Sequence, residues 1–199
     1  MINKKFEVYF DFGFSKIRAT AFNINNSVDS FNYESKIFFD HSDIDKNIEN
    51  IILKIEKKTE EYLETINLMV DSPEMISINM SLSKKFDGSE LKKEDIQFLI
   101  KDAKQQISRS YPDQSIIHLI VKNYKINNID YSLFPQGINC NLLSIEFFFI
   151  CLPRKIIEYL KKIFFKSDIS INKFFCSSYA KSINYKNNFS LIDNISFID

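Results

Sequence analysis

The sequence predicts an α/β fold with an α+β unit in its middle, and three observations carry that reading. Two β-rich runs, FEVYFDF and IRATAFNI, flank a short turn at Gly13, the pattern of a hairpin. From Ile44 onward, apolar residues recur at helical spacing. From about residue 75 to residue 152 the patterning reads strand, helix, strand, strand.

The chain opens with strands over 6–12 and 17–24, and a third run at Ser35 to Phe39 extends the same sheet. Ser42, followed by Asp43 and Asp45, suits a helix start. Ile44, Ile48, Ile51, Ile52, Ile55, Tyr62, Leu63 and Ile66 predict one long helix behind it, with KIEKKTEE as its solvated face. INLMV at 66–70 and MISINMSL at 75–82 read as strands, with Asp71, Ser72 and Pro73 turning the chain between them. A second helix from about Lys93 lines up Ile96, Leu99, Ile100, Ala103 and Ile107 and stops before Tyr111-Pro112-Asp113. Long strands over Ser115 to Asn127 and Asn141 to Leu152 follow, joined by a loop bearing Pro135 and Gly137. Pro153 then opens a basic amphipathic helix to about Lys166, a strand runs near Ile171 to Phe175, and a short helix precedes a last strand, ISFID.

Composition narrows the function classes. Lysine plus arginine total 26 and aspartate plus glutamate total 26, so overall charge gives no grip on nucleic acid or anionic lipid. The start, MINKKFEVYF, is broken by Glu7 and matches neither a secretory signal nor a membrane anchor. The apolar run from Leu142 to Leu152 contains Glu146 and falls far short of the roughly 20 residues of a membrane helix. A cytoplasmic protein is expected. Cys140, Cys151 and Cys176 form no CxxC pair; buried thiols are expected rather than a disulfide framework or a zinc site.

The turn Asp11-Phe12-Gly13-Phe14-Ser15-Lys16 has chemistry that suits a phosphate. Glycine lets backbone amides converge on an anion, Ser15 adds a hydroxyl and Lys16 a positive charge. Asp11, at the end of its strand, is placed to orient a metal-bound water. The same residues also serve as ordinary hairpin turn chemistry.

The order of elements, with these motifs, resembles the N-terminal half of the FtsA family of bacterial cell-division proteins. FDFGFSK is similar to that family's first phosphate segment. Asp87-Gly88 and Leu91-Lys92-Lys93-Glu94-Asp95-Ile96 resemble its Gly-x-x-Ile-Thr-x-x-Asp-Val pattern, and Ile117-His118, Tyr124 and Pro135-x-Gly137 followed by Leu142 recur at its spacing. Cys176-Ser177-Ser178-Tyr179-Ala180 and Phe197-Ile198-Asp199 look like the approach to its second phosphate segment. Two positions depart: Asp71-Ser72 stands where the family has Ser-Gly, and Phe14 where it has a small residue.

The resemblance implies an actin-like (ribonuclease H-like) subdomain over 1–71 and 153–199, truncated at the second phosphate strand, with an inserted SHS2 domain over 72–152. It implies a nucleotide half-site of Asp11, Gly13, Phe14, Ser15, Lys16 and Asp199, with ATP and Mg2+ as ligands of the full-length protein and weak or absent binding by this chain alone. It further implies a polymerising scaffold, a weak ATPase at most, that links a tubulin-like division ring to the inner membrane from its cytoplasmic face. The inserted domain would contact other subunits and later division proteins, while the ring-binding lobe and a C-terminal membrane helix would lie past Asp199. A pilus-assembly actin-like protein and a sugar-kinase-like phosphotransferase are the alternatives; no catalytic aspartate or sugar-site motif supports the second.

Two features outside that loop have ordinary structural explanations. His118 has no second histidine or cysteine spaced to help it bind metal, so a hydrogen-bonded structural role is expected. The helix PRKIIEYLKKIFFKS carries five basic residues around Ile156, Ile157, Leu160, Ile163 and Phe164. That pattern fits a membrane surface, but packing on a sheet is the expected use.

Overall fold

The computed structural model describes residues 5–13, 16–36 and 44–188. Thirteen elements follow in order: β1 (Phe6–Phe12), β2 (Lys16–Asn23), β3 (Asn26–Lys36), α1 (Ile44–Thr59), β4 (Thr65–Val70), β5 (Ile76–Lys85), α2 (Lys93–Ser110), β6 (Gln114–Ile126), β7 (Ile129–Tyr131), β8 (Leu142–Pro153), α3 (Arg154–Phe165), β9 (Ser170–Cys176) and α4 (Ser177–Asn188). The chain divides into two compact units. Met1–Pro73 with Ile156–Asp199 form the first, and Glu74–Lys155 the second.

The first unit is built on a five-stranded sheet in the order β3-β2-β1-β4-β9. β1, β2 and β3 are antiparallel, whereas β1, β4 and β9 are parallel. Alternation along β1 and β2 sends Val8, Phe10, Ile17, Ala19 and Ala21 to a buried face. Burying each larger side chain contributes about 1.5–3 kcal/mol relative to leaving it exposed. α1 supplies Ile44, Ile48, Ile51, Ile52 and Ile55. α3 buries Leu160, Ile163 and Phe164, and Phe164 meets Phe10 edge to face at 5.3 Å, a favoured aromatic geometry. The basic helix thus spends its apolar face on the sheet, as expected.

The second unit is a four-stranded antiparallel sheet in the order β5-β8-β6-β7, with α2 packed on one face. Ile96, Leu99, Ala103 and Ile107 of α2 join Leu143, Ile145, Phe147, Phe149 and Cys151 of β8 in one core. Asp95, in the first turn of α2, accepts from the Lys92 backbone N–H at 3.2 Å and pairs with Lys84 at 3.0 Å. It therefore satisfies a helix-end amide and complements the helix dipole at once. Gly88 and Gly137 hold φ of 85° and 76°, a region that side chains other than glycine's disfavour.

Three expectations need correction. The long helix ends at Thr59, because Glu60 turns left-handed at φ 57° and its N–H closes on Glu56 O at 2.8 Å. Tyr62, Leu63 and Ile66, read as helical, instead lie in the connection and in β4. β3 begins at Asn26, nine residues ahead of the expected Ser35, because Ile24-Asn25 make a tight turn in which Asn23 Oδ1 accepts from the Asn25 N–H at 2.9 Å. The expected loop after β6 also contains a strand, β7. Asn127 and Asn128 take φ of 50° and 71°, the two positive values of a type I′ hairpin turn. Ser42, residues 37–39 of the third run, and ISFID lie outside the described residues.

Candidate functional site

In the first unit, the three parallel strands end together at Phe12, Val70 and Cys176. Ligands of open α/β sheets gather at the carboxyl ends of parallel strands. Asp11, Gly13, Lys16, Asp71 and Ser177 all lie at or next to those ends. Of the nucleotide residues expected from the sequence, Phe14, Ser15 and Asp199 fall outside the described residues.

Asp11 points to the face of β1 opposite Phe10, with its side chain 23% exposed. Its Oδ1 accepts from Ser177 Oγ at 2.8 Å, and Arg18 stands 3.8 Å from Oδ2. The carboxylate thus joins the end of β1 to the start of α4, 166 residues away. Gly13 does not use a left-handed backbone. Its N–H donates to Lys16 O at 3.1 Å, and a Cβ on Gly13 would lie 3.0 Å from that same oxygen. Glycine is needed here for close approach, and the amide expected to face an anion is used in closing the hairpin.

Lys16 Nζ lies 3.0 Å from Glu34 Oε1, and Arg18 Nε 3.4 Å from Glu34 Oε2. The hydrogen bond from Lys16 holds the Glu34 carboxyl below its ordinary range, with Arg18 adding to it. All three side chains are substantially exposed. Exposed pairs of this kind are weak, so a bound phosphate can draw Lys16 away at small cost.

Asp71 was read from the sequence only as turn chemistry, yet it organises the start of α4. Its Oδ1 accepts from the Ser178 backbone N–H at 3.1 Å, and its Oδ2 from Ser178 Oγ at 2.7 Å. Cys176 Sγ is 3.4 Å from Asp71 Oδ1 and accepts from the Tyr179 N–H at 3.4 Å. A carboxylate from β4's end therefore caps the helix from outside, where the helix dipole favours negative charge. The Asp71–Ser178 contact spans 107 residues, which no local sequence signal encodes.

His118 is half-buried in β6, and burial holds its imidazole below the usual histidine range. Cys140, Cys151 and Cys176 are buried thiols outside any disulfide, and burial pushes all three up. Among the described residues no three metal-ligating side chains come together, and no helix is long and apolar enough to cross a membrane.

Comparisons with known proteins address both units. A family model described as "SHS2 domain inserted in FTSA" matches residues 73–151. No curated protein matches the sequence. Among solved structures, one titled "PilM-PilN type IV pilus biogenesis complex" is similar at TM-score 0.57 and 5% identity, over 92% of this chain and 51% of that one. A protein with actin-like ATPase fold and unknown function from Bacteroides thetaiotaomicron is matched at TM-score 0.41 and 14% identity, over 96% of this chain and 61% of that one. This chain thus spans about half the length of the first of these structures. Residues 73–151 thus match an SHS2 domain of the type inserted in FtsA, within an α/β chain whose fold is similar to that of the pilus-complex structure.

Proposed function

We propose that this chain belongs to a cell-division scaffold, an actin-like ATP-binding protein that polymerises and links the division ring to the cytoplasmic face of the inner membrane. The observation that carries this reading is the match to the SHS2 domain of the FtsA type at 73–151, inserted in the chain between β4 and β9 of the first unit's sheet. The inserted domain serves contacts with other subunits and later division proteins. The tubulin-like ring protein and the membrane are reached through parts outside this chain. A tagged copy expressed from its own gene is expected to collect at midcell, seen by fluorescence microscopy. Accumulation at pilus bases would favour the pilus-assembly reading instead, and even spread through the cell would count against both.

The scaffold reading makes the protein a weak ATPase at most. The described part of the loop supports weak nucleotide binding by this chain. The Gly13 amide is bonded to Lys16 O and Asp11 to Ser177, so ATP with Mg2+ must displace both. Titration calorimetry is expected to give a Kd weaker than about 1 μM, that is, less than about 8 kcal/mol of binding. A tighter Kd would show that the loop rearranges at little cost.

A further inference from the structure

The inserted domain's sheet has two very different edges. At one edge is β7, only three residues long. At the other is β5, ten residues that pair with β8 from Ile76 to Lys85 without a bulge. Among the described residues its only neighbour in the sheet is β8. Proteins ordinarily blunt such an edge with proline, a bulge, short length or an inward-pointing charge. From Ile76 to Ser83, β5 has no proline, bulge or charge, and its first charged residue is Lys84. A long, regular edge of this kind is a template for another strand.

We propose that β5 pairs antiparallel with β5 of a second copy of this chain, joining two inserted domains into one eight-stranded sheet. The sequence of β5 is complementary to itself. Ile76, Ile78, Met80 and Leu82 face α2, and Ser77, Asn79, Ser81 and Ser83 face outward and are exposed. In a two-fold antiparallel pair, directly opposed residues share a face, so some residue must oppose its own copy. Placing Asn79 opposite Asn79 sets Ile78 against Met80, Ile76 against Leu82 and Ser77 against Ser81. The same register brings Glu74 opposite Lys84. Sliding the centre to Met80 sets Lys84 against Ile76, and sliding it to Ile78 sets Glu74 against Leu82, so charge and apolar pattern both select Asn79. Glu74 now pairs with Lys155 and Lys84 with Asp95. Surface pairs of this kind exchange at small cost.

This deepens the scaffold reading by naming the contacting strand and its partner, and it rests on that reading for its place in the cell, not for its geometry. The test is sedimentation velocity of the 199-residue chain across micromolar concentrations. A concentration-dependent dimer is expected. S77K/S81K puts lysine opposite lysine twice per dimer and is expected to raise Kd about tenfold, and S77K/S81E to restore dimerisation. All four substituted positions in each dimer are exposed on the outward face, so folding is preserved, as circular dichroism will show. Asn79→Cys adds a direct readout: opposed Cα atoms about 4.5–5.5 Å apart lie within disulfide reach, and the three native cysteines are buried. Oxidation is expected to give a covalent dimer. A chain that stays monomeric, or a dimer indifferent to S77K/S81K and uncrosslinked in Asn79→Cys, would overturn the pairing. Protein absent from midcell would overturn the scaffold reading and leave a dimer in vitro as it is.

Discussion

Phe149→Ala is expected to cost the inserted domain about 3–5 kcal/mol. Phe149 is fully buried, lies 6.0 Å from Phe147, and stands opposite Ile78 of β5 and Leu119 of β6. Truncation therefore leaves a cavity where three strands and α2 meet. The domain has roughly 80 residues, for which total stability is about 4–12 kcal/mol, so the change removes a quarter or more of it. Because β5 is held to the rest of the domain through β8, its edge loosens with the core. Hydrogen exchange is expected to show peptides from 76–151 losing protection while β1 and β4 keep theirs, with β5-mediated dimers lost at the same time. Equal loss of protection throughout the chain would show that the two units unfold as one.

The strands and helix of the inserted domain were readable because their signals are local. β5 and β8 alternate, α2 repeats apolar residues at helical spacing, and both patterns survive into the structure unchanged in kind. The errors arose where backbone chemistry overrode periodicity. Isoleucines and leucines continue at suitable spacing past Thr59, yet left-handed Glu60 ends the helix. Asn127-Asn128 is a hairpin turn set between Ile126 and Ile129, and that pattern of two asparagines between β-branched residues was the available signal for β7. Asn127 also fastens the following loop, since its Oδ1 accepts from the Asn141 and Leu142 N–H groups and its Nδ2 donates to Asn139 O.

The candidate site was less legible for a different reason. Asp11, Gly13 and Lys16 were visible as turn chemistry, but what they bond to depends on tertiary structure. Lys16 meets Glu34 through the β2–β3 pairing, Asp11 meets Ser177 through the parallel alignment of β1, β4 and β9, and Asp71 meets Ser178 at the same edge. A residue type at a strand end states which chemistry is possible; the register of distant strands decides whether it faces a ligand or a neighbour.

Phe10→Ala tests that dependence from the other unit. Phe10 is fully buried on β1, paired with Ala19 on one side and Leu68 on the other, with the Phe164 ring against it. Its truncation is expected to cost about 3–5 kcal/mol as well, from a unit of roughly 120 residues whose total is about 6–18 kcal/mol. Because Asp11 follows directly on β1, loss of this packing loosens the bond from Ser177 to Asp11 and the hairpin closed by Gly13. Protection is expected to fall in β1, β2, β4 and β9, and whatever weak Mg-ATP binding the chain has is expected to fall with it. β5 carries no part of this core, so the concentration dependence of dimerisation should be unchanged. Phe10→Leu keeps most of the volume and is expected to cost under about 1.5 kcal/mol, which separates a packing defect from any direct effect of the ring. If Phe10→Ala abolished dimerisation while Phe10→Leu did not, the contact between copies would depend on the first unit and could not rest on the β5 edge alone.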